Sequence, residues 1–364
     1  MTGAYIISDT IIVTLSSLSV RNQRPEQSLS TTKVEPWEDS LRTDPSQPGV
    51  FEWWYFDSHL ANGGKLMVVF HTKLFTSPQV GLEPKIQIQL ETPDGRVCNV
   101  LQAYNPDEFH SSRDECDVTI TRDGVVNFFR GTGLKEYHIR VTVESLDIDI
   151  QMTNTTSPWR PGKGHVWSKD NEYFDWFVAV PQGKVTATYT IAGESPVTVD
   201  GDGYHDKNWG NAPLAQTINH WYWGRGTLGP YTVISSANVF SEKHDSVLVK
   251  TFMIQHKDTV VADDGSKVSF NAEGIEYDDK VDRPVADTLH FEYQNEGTVF
   301  VIEYLREETT LRQQMSGAWY LRFAGGMKLK KYQNNELVEE HVGHTQWDSM
   351  WFGQGRKEAL PYRK

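Results

Sequence analysis

Short stretches in which apolar and polar residues alternate run through most of the chain, and helical periodicity is hard to find. The stretches are rich in Val, Ile, Thr and aromatic residues, which favour strands. They lie at Lys65–Thr72, Lys85–Glu91, Val118–Thr121, Arg140–Thr142, Asp147–Met152, Lys184–Ile191, Tyr231–Ala237, Val247–Gln255, Leu289–Tyr293, Val299–Leu305, Ala318–Phe323 and Lys328–Tyr332. Turn signals such as Asn62-Gly63-Gly64 and Asp123-Gly124 separate them. The pattern predicts an all-β protein, a sandwich or barrel, with very little helix.

Two aromatic-rich segments of the chain are alike. Phe51–Asp57 (FEWWYFD) is followed by a glycine turn and the apolar strand Leu66–Phe70. His220–Arg225 (HWYWGR) is likewise followed by a glycine-containing turn and the strand Tyr231–Ser235. We interpret the two segments as the opening hairpins of two similar β domains.

The boundary between these domains is predicted within Asn211–Gln216, which gives an N-terminal domain of residues 1–212 and a C-terminal domain of residues 213–364. The link is short and not rich in Gly or Ser, so we expect the domains to dock against each other. Two other segments are predicted to be irregular: an arm at 22–49, which contains four prolines, and the stretch 200–210.

Composition narrows the possible functions. The net charge is −14 and no basic face is evident, so a nucleic-acid partner is not expected. The only two cysteines, Cys98 and Cys116, exclude a disulfide scaffold, although the sequence leaves open whether they pair. His341 and His344 lie three apart and would not share a strand face, so we expect no metal. Because a phosphate-binding glycine loop and a Gly-x-Ser-x-Gly motif are also missing, we expect no cofactor and no serine nucleophile.

The most apolar stretch near the start is Ala4–Val20, which Asp9 interrupts and no basic residue precedes. A secretory signal has a basic start and an uninterrupted apolar core. We therefore predict one or two strands there, no membrane span and, given the low cysteine content, a cytoplasmic protein.

Several motifs occur in a characteristic order: Phe51–Asp57, Tyr173–Trp176, Gly203–Gly210, His220–Trp223 and Trp347–Gly353. In these motifs the chain resembles the superfamily of carotenoid 1,2-hydratase (hydroxyneurosporene synthase) and AttH-like proteins. Its length and aromatic content are most similar to the fungal branch of decalin-forming Diels–Alderases. The resemblance implies two lipocalin-like β domains, a ligand pocket in one or between them, and the cyclisation of linear polyenes, often polyketides tethered to an amino acid.

A cycloaddition requires that the substrate be held in one folded conformer, and a hydrogen-bond donor aimed at a carbonyl assists it. We predict a cofactor-independent pericyclase that acts on a linear polyene in secondary metabolism, as a monomer or homodimer. Trp223 would stack on the substrate and donate through its indole N–H, and Glu52 would anchor a polar headgroup. Further substrate-binding candidates are Trp54, Phe56, Tyr173, Trp176, Trp221, Arg225, Trp347 and Trp351.

The second hypothesis is an alkene hydratase or isomerase that protonates its substrate through Asp206, assisted by Tyr204. The hydratase pattern places a His-x-Trp upstream of Tyr-x-Asp. Here Trp176 is present but lacks the His, and His165-x-Trp167 lies further upstream, in a predicted loop.

Simpler explanations stay open for most of these residues. Tyr204–Gly210 would otherwise be a turn with Trp209 in the core. Glu52 would be a paired structural carboxylate, and strand tryptophans are more often packed in cores. A basic residue near the C-terminus, Arg356 or Lys357, is a further candidate for contact with the substrate. The alternative is that these residues belong to a solvated tail. The third hypothesis is a lipid or terpenoid carrier without catalysis.

Overall fold

The structure is a computed structural model that describes residues 33–162, 165–315 and 317–352. The predicted strands at 4–20, the first part of the arm, and Arg356 and Lys357 lie outside the described residues. None of the helices in the described part of the chain has the length and apolarity needed to cross a bilayer. Cys98 and Cys116 are both free thiols.

The first sheet is built from strands β1 to β12 in the order β4-β3-β2-β1-β12-β11-β9-β8-β7-β6-β5, with β10 on β11. Its strands are β1 (Phe51–Leu60), β2 (Lys65–His71), β3 (Lys85–Glu91), β4 (Val97–Ala103), β5 (Phe109–Ser111), β6 (Asp117–Arg122), β7 (Val125–Thr132), β8 (Glu136–Val143), β9 (Leu146–Asn154), β10 (His165–Lys169), β11 (Glu172–Ile191) and β12 (Val197–Gly210). All the pairings are antiparallel.

The second sheet has the order β16-β15-β14-β13-β24-β23-β21-β20-β17, with β22 on β23, and β18 and β19 pair separately. Its strands are β13 (Ile218–Leu228), β14 (Tyr231–Phe240), β15 (Leu248–His256), β16 (Thr259–Ala262), β17 (Val268–Glu273), β18 (Glu276–Asp278), β19 (Arg283–Val285), β20 (Thr288–Asn295), β21 (Thr298–Leu305), β22 (Glu308–Met315), β23 (Ala318–Gln333) and β24 (Glu336–Trp351). The helices are α1 (Leu214–Thr217) and 3-10 turns at Pro36–Asp39, Pro106–Glu108, Glu242–His244 and Gly265–Lys267. The all-β, lipocalin-like prediction is confirmed.

The two sheets share one plan. In each, the opening strand (β1 or β13) pairs on one side with the next strand and on the other with the closing strand (β12 or β24). The two aromatic segments found in the sequence lie on these opening strands. The chain passes from one sheet to the other through residues 211–217, and the division into domains 1–212 and 213–364 remains our proposal.

Two predictions about irregular segments are wrong. Residues 200–210 belong to β12, in the middle of the first sheet, so Tyr204–Gly210 is a strand and not a turn. Gly203 does not mark a turn. A glycine is needed at this position because a Cβ there would overlap the side chain of Val185. His165–Lys169 is strand β10 and not a loop.

Each sheet curls around an apolar core of its own, and further apolar clusters fill the space between the sheets. The described part of the arm, 33–49, contains no strand, as predicted, but it is not a loose connection. Its residues 38–43 are buried. Asp39 accepts a hydrogen bond from Tyr137 (Oδ2 to OH, 2.7 Å), and its oxygens lie 3.1 and 3.2 Å from Nε2 of His205. The arm therefore closes the interior of the first sheet.

Candidate active site

Strand alternation decides which side chains face the space between the two sheets. On β1, Trp53 and Tyr55 point toward the second sheet, while Trp54 points into the core of the first. On β13, Trp221 and Trp223 point back toward the first sheet. Between these faces lies a cleft with an empty volume of about 970 Å³, part of it open to solvent. Its lining is mostly aromatic and aliphatic: Trp53, Tyr55, Met67, Val69, Phe75, Val166, Phe174, Trp176, Trp221, Trp223, Met315, Tyr320 and Met350.

One carboxyl group in the cleft comes from the first sheet. Asp206 on β12 accepts hydrogen bonds at Oδ2 from the indole N–H of Trp176 (2.8 Å) and from the hydroxyl of Tyr204 (2.7 Å). Burial raises the pKa of Asp206 to about 7, against the lowering effect of these two donors. Asp206 therefore holds a proton near neutral pH and faces an apolar space.

A second carboxyl group comes from the second sheet. Asp348 on β24 accepts from the indole N–H of Trp221 at Oδ1 (3.2 Å) and from the hydroxyl of Tyr320 at Oδ2 (3.0 Å). Burial raises its pKa to about 7, although the Arg322 guanidinium lowers it. Asp348 thus resembles Asp206 in burial, in the type of its partners and in its protonation.

The cleft continues into a polar pocket with an empty volume of about 510 Å³. Here Asp57 of β1 and Arg225 of β13 form a partly buried ion pair between the sheets, and Tyr55 donates to Asp57 at 3.0 Å. Arg322 also lines this pocket and contacts the hydroxyl of Tyr320 through Nη2 at 2.9 Å. One end of the site therefore carries fixed charges, and the other is apolar.

Four of the predicted site residues line the cleft together: Trp176, Asp206, Trp221 and Trp223. Tyr204 lies behind them as a partner of Asp206, and Arg225 lies in the polar pocket. No hydrogen bond of the Trp223 indole N–H is found among the described residues, and the side chain borders both the cleft and the polar pocket.

The other candidates lie elsewhere. Glu52 is fully buried inside the first sheet, where it pairs with Lys207 and accepts from the backbone of Arg42 (2.8 Å) and Thr43 (3.1 Å). The structure thus places it as a paired structural carboxylate, without access to the cleft. The remaining aromatic candidates lie in the cores of the sheets: Trp54, Phe56 and Tyr173 in the first sheet, and Trp347 and Trp351 in the second. Trp347 also borders the polar pocket.

Sequence reasoning missed several residues of the site: Asp348, Tyr320 and Trp53 in the cleft, and Tyr55, Asp57 and Arg322 at the polar pocket. In the Trp347–Trp351 segment the two tryptophans drew attention to the strand face that turned out to be core, and Asp348 lies on the opposite face. Asp348 could have been found by aligning the ends of the two repeats, because it takes the same place opposite Trp223 that Asp206 takes opposite Tyr55.

Among the described residues, one group combines metal-ligating side chains within reach of one another: Asp39, Cys116 and His205. The group is buried in the first sheet and does not line the cleft. His205 is already engaged through Nε2 with Asp39 and through Nδ1 with the carbonyl oxygen of Tyr55, at 2.8 Å. We therefore assign these residues a structural role.

Two curled antiparallel sheets that enclose an aromatic cleft define a lipocalin-like, small-molecule-binding architecture. Residues 8–313 match the model of the family described as Diels-Alderase-like, and the chain belongs to that family. The resemblance predicted from the sequence is thereby confirmed. The assignment agrees with the predicted cyclase or isomerase type of enzyme.

Three known proteins are similar to the chain. The quinolone epoxide rearrangement protein asqO of Emericella nidulans is 26% identical over 196 residues, which cover 50% of this chain and 53% of asqO. The matched part thus spans about half the length of this curated relative. The crystal structure of CghA with Sch210972 superimposes with a TM-score of 0.63 at 12% identity, covering 92% of this chain and 99% of CghA. Kievitone hydratase from Nectria haematococca has a TM-score of 0.54 at 12% identity, covering 90% and 98%. At these identities, the structural matches establish the shared fold.

Proposed function

We propose that the protein is a cofactor-independent pericyclase that folds a linear polyene in the cleft between its sheets and steers an intramolecular [4+2] cycloaddition. The observation that carries the proposal is the cleft itself, with aromatic walls from both sheets and only a few fixed polar groups. Membership in the Diels-Alderase-like family supports it. The relative asqO, a quinolone epoxide rearrangement protein, supports the coarser statement that the reaction rearranges the bonds of a small molecule.

The reaction needs little from the protein beyond shape. Two carbon–carbon σ bonds form while three π bonds become one, so no atom is gained or lost. Walls formed by Trp53, Trp221 and Trp223 hold the polyene substrate in the folded conformer. This lowers the activation free energy of the reaction by several kcal/mol. The free indole N–H of Trp223 and the proton of Asp206 are donors for a carbonyl on the dienophile, and they lower its electron density as the bonds form.

The test is a product comparison in the organism that encodes the chain, with the gene deleted and then restored. We expect deletion to change the ring system or its diastereomer ratio at constant mass. Restoring the gene with Trp223→Phe, which keeps the ring and loses the N–H, should lower the rate about 10-fold or more. An exposed variant, Glu340→Gln, serves as the control. An unchanged product profile on deletion, with tight polyene binding by the purified protein, would instead identify a carrier.

A second candidate is acid-catalysed addition of water to an alkene, and the protonated Asp206 favours it specifically. In that reaction Asp206 gives its proton to one alkene carbon, water attacks the resulting cation, and the attacking water returns a proton to the Asp206 carboxylate. Deletion would then leave a compound lighter by one water. Deuterium from the solvent would appear on carbon in the product, whereas a cycloaddition incorporates none.

A further inference from the structure

The two carboxyl groups of the cleft occupy equivalent places in the two sheets. In the first sheet, Tyr55 of β1 pairs with Asp206 of β12. In the second, Trp223 of β13 pairs with Asp348 of β24. Both pairs join the opening strand of a sheet to its closing strand.

The donors that hold the carboxyl groups follow the same register. Trp176 on β11 pairs with Asn208, two residues after Asp206. Tyr320 on β23 pairs with Met350, two residues after Asp348. Trp176 and Tyr320 are therefore equivalent, and each donates to the carboxyl of its own sheet. The match extends from the backbone to the polar contacts.

We propose that Asp348 is a second catalytic group, which donates a hydrogen bond to the substrate from the second sheet while Asp206 donates from the first. The assignment deepens the proposed pericyclase function and rests on it. It means that the cleft binds a linear polyene with two acceptor oxygens, one for each carboxyl group. A substrate with a single carbonyl would accept a hydrogen bond from only one of the two.

The contacts of Asp348 fix its carboxyl group at the wall of the cleft. Its two oxygens accept from Trp221 and Tyr320, and both of these partners are donors. Because the hydroxyl oxygen of Tyr320 already accepts from Nε and Nη2 of Arg322 (3.3 and 2.9 Å), a proton on Asp348 is left to donate into the cleft, which the group lines. In the apolar cleft such a donor acts on a carbonyl with little competition from water.

Charged and titratable groups reach Asp348 from three strands. Arg322 and Tyr320 belong to β23, and Asp57 and Tyr55 to β1, while Trp221 of β13 donates without titrating. Asp57 raises the pKa of Asp348 and Arg322 lowers it, with burial the largest influence. Asp348 is consequently neutral below about pH 7, so its donor is present below that pH and lost above it.

The experiment compares two probes: deca-3,5,7-triene-2,9-dione, with a ketone at each end, and deca-3,5,7-trien-2-one, with one. Their dissociation constants are measured by quenching of tryptophan fluorescence in the full-length protein, at pH 5.5 and pH 8.5. We expect the wild type at pH 5.5 to bind the dione about tenfold more tightly, the factor that one neutral hydrogen bond supplies. At pH 8.5 this preference should fall toward one.

Substitutions of Asp348 then assign the effect. Asp348→Ala should remove the preference for the dione at both pH values. Asp348→Asn keeps a neutral donor and should preserve the preference for the dione at pH 5.5. Glu340→Ala, which alters an exposed acid on the same strand, is the matched control.

The outcomes separate the two proposals. If both probes bind and Asp348→Ala keeps the full preference for the dione, the role of Asp348 is overturned while the polyene cleft stands. If Asp348→Asn is folded yet loses the preference at pH 5.5, a neutral donor at this position is also overturned. If no variant and no wild-type sample binds either probe, the polyene cleft itself fails, and the pericyclase proposal fails with it.

Discussion

The two halves of the molecule are alike along their paired opening and closing strands and differ in the charge that their interiors enclose. On the face toward the cleft, Trp53 of β1 and Trp221 of β13 hold equivalent positions, as the strand register shows. On the inner faces Trp209 in the first half corresponds to Trp351 in the second, but the buried Lys207 corresponds to Ser349. The likeness therefore extends to both faces of these strands, and the main difference is the charge buried inside the first sheet.

The inner faces of the two sheets differ in the buried charges that they enclose. The first sheet encloses buried ion pairs, among them Glu52 with Lys207 and Glu38 with Arg160. The core of the second is built from aromatic and aliphatic side chains. Buried charges demand their partners, whereas apolar cores tolerate small changes. Equivalent substitutions in the two halves should consequently have very different effects.

The largest contrast is expected at Lys207 and Ser349. Lys207→Met leaves Glu52 buried without its countercharge and should lower the free energy of unfolding by about 3–5 kcal/mol. Ser349→Ala removes a buried hydroxyl that has no hydrogen-bond partner among the described residues, and it should change stability by less than about 1 kcal/mol. Urea unfolding measures both. Similar losses for the two variants would show that the interiors do not differ as described.

The next effect concerns the carboxyl groups that the halves share. The pKa of Asp206 is about 7 in the folded protein against an ordinary 3.8, so the folded state holds a proton that the unfolded state has released. The free energy of unfolding therefore falls as the pH rises from about 3.8 to about 7. Asp206→Asn should be more stable than the wild type at pH 8, on the order of 3 kcal/mol, and no more stable at pH 4.

Asp348→Asn should behave in the same way, because burial raises its pKa to the same value. Asp202→Asn, an exposed change on the strand that carries Asp206, should show no such dependence. Thermal unfolding at pH 4 and pH 8 provides the comparison. If only one of the two cleft variants gains stability at pH 8, the equivalence of the two carboxyl groups is broken.

The smallest effect is expected where one half has an aromatic residue and the other a glycine. Phe56 of β1 corresponds to Gly224 of β13, and the ring of Tyr304 occupies the space over Gly224. A Cβ at Gly224 would lie 2.7 Å from that ring, so Gly224→Ala should cost about 1–3 kcal/mol. The measurement is again urea unfolding. A neutral result would mean that Tyr304 moves aside easily.

The sequence revealed the strands where alternation was regular, as in Lys85–Glu91, which coincides with β3. The strand β12 could not be predicted from alternation, because its glycines and buried charged residues break the apolar–polar pattern. The countercharges come from neighbouring parts of the fold, which the sequence pattern does not show. Trp176, Asp206, Trp221 and Trp223 could be placed at a pocket because the family resemblance marked their motifs. Asp348 was not placed there, because its position depends on the pairing of β24 with β13, which lie more than a hundred residues apart, and the two repeats were compared only at their opening strands.

The burial of the arm has a consequence for the order in which the chain folds. Asp39 meets His205 across 166 residues, so the inner face of the first sheet stays open until β12 has been synthesised. Contacts of such long range are slow to form, and until they do, unpaired strand edges and apolar side chains remain exposed. The arm is thus synthesised early but is among the last segments to be enclosed. A ribosome-bound chain that stops before β12 should be the species most dependent on chaperones.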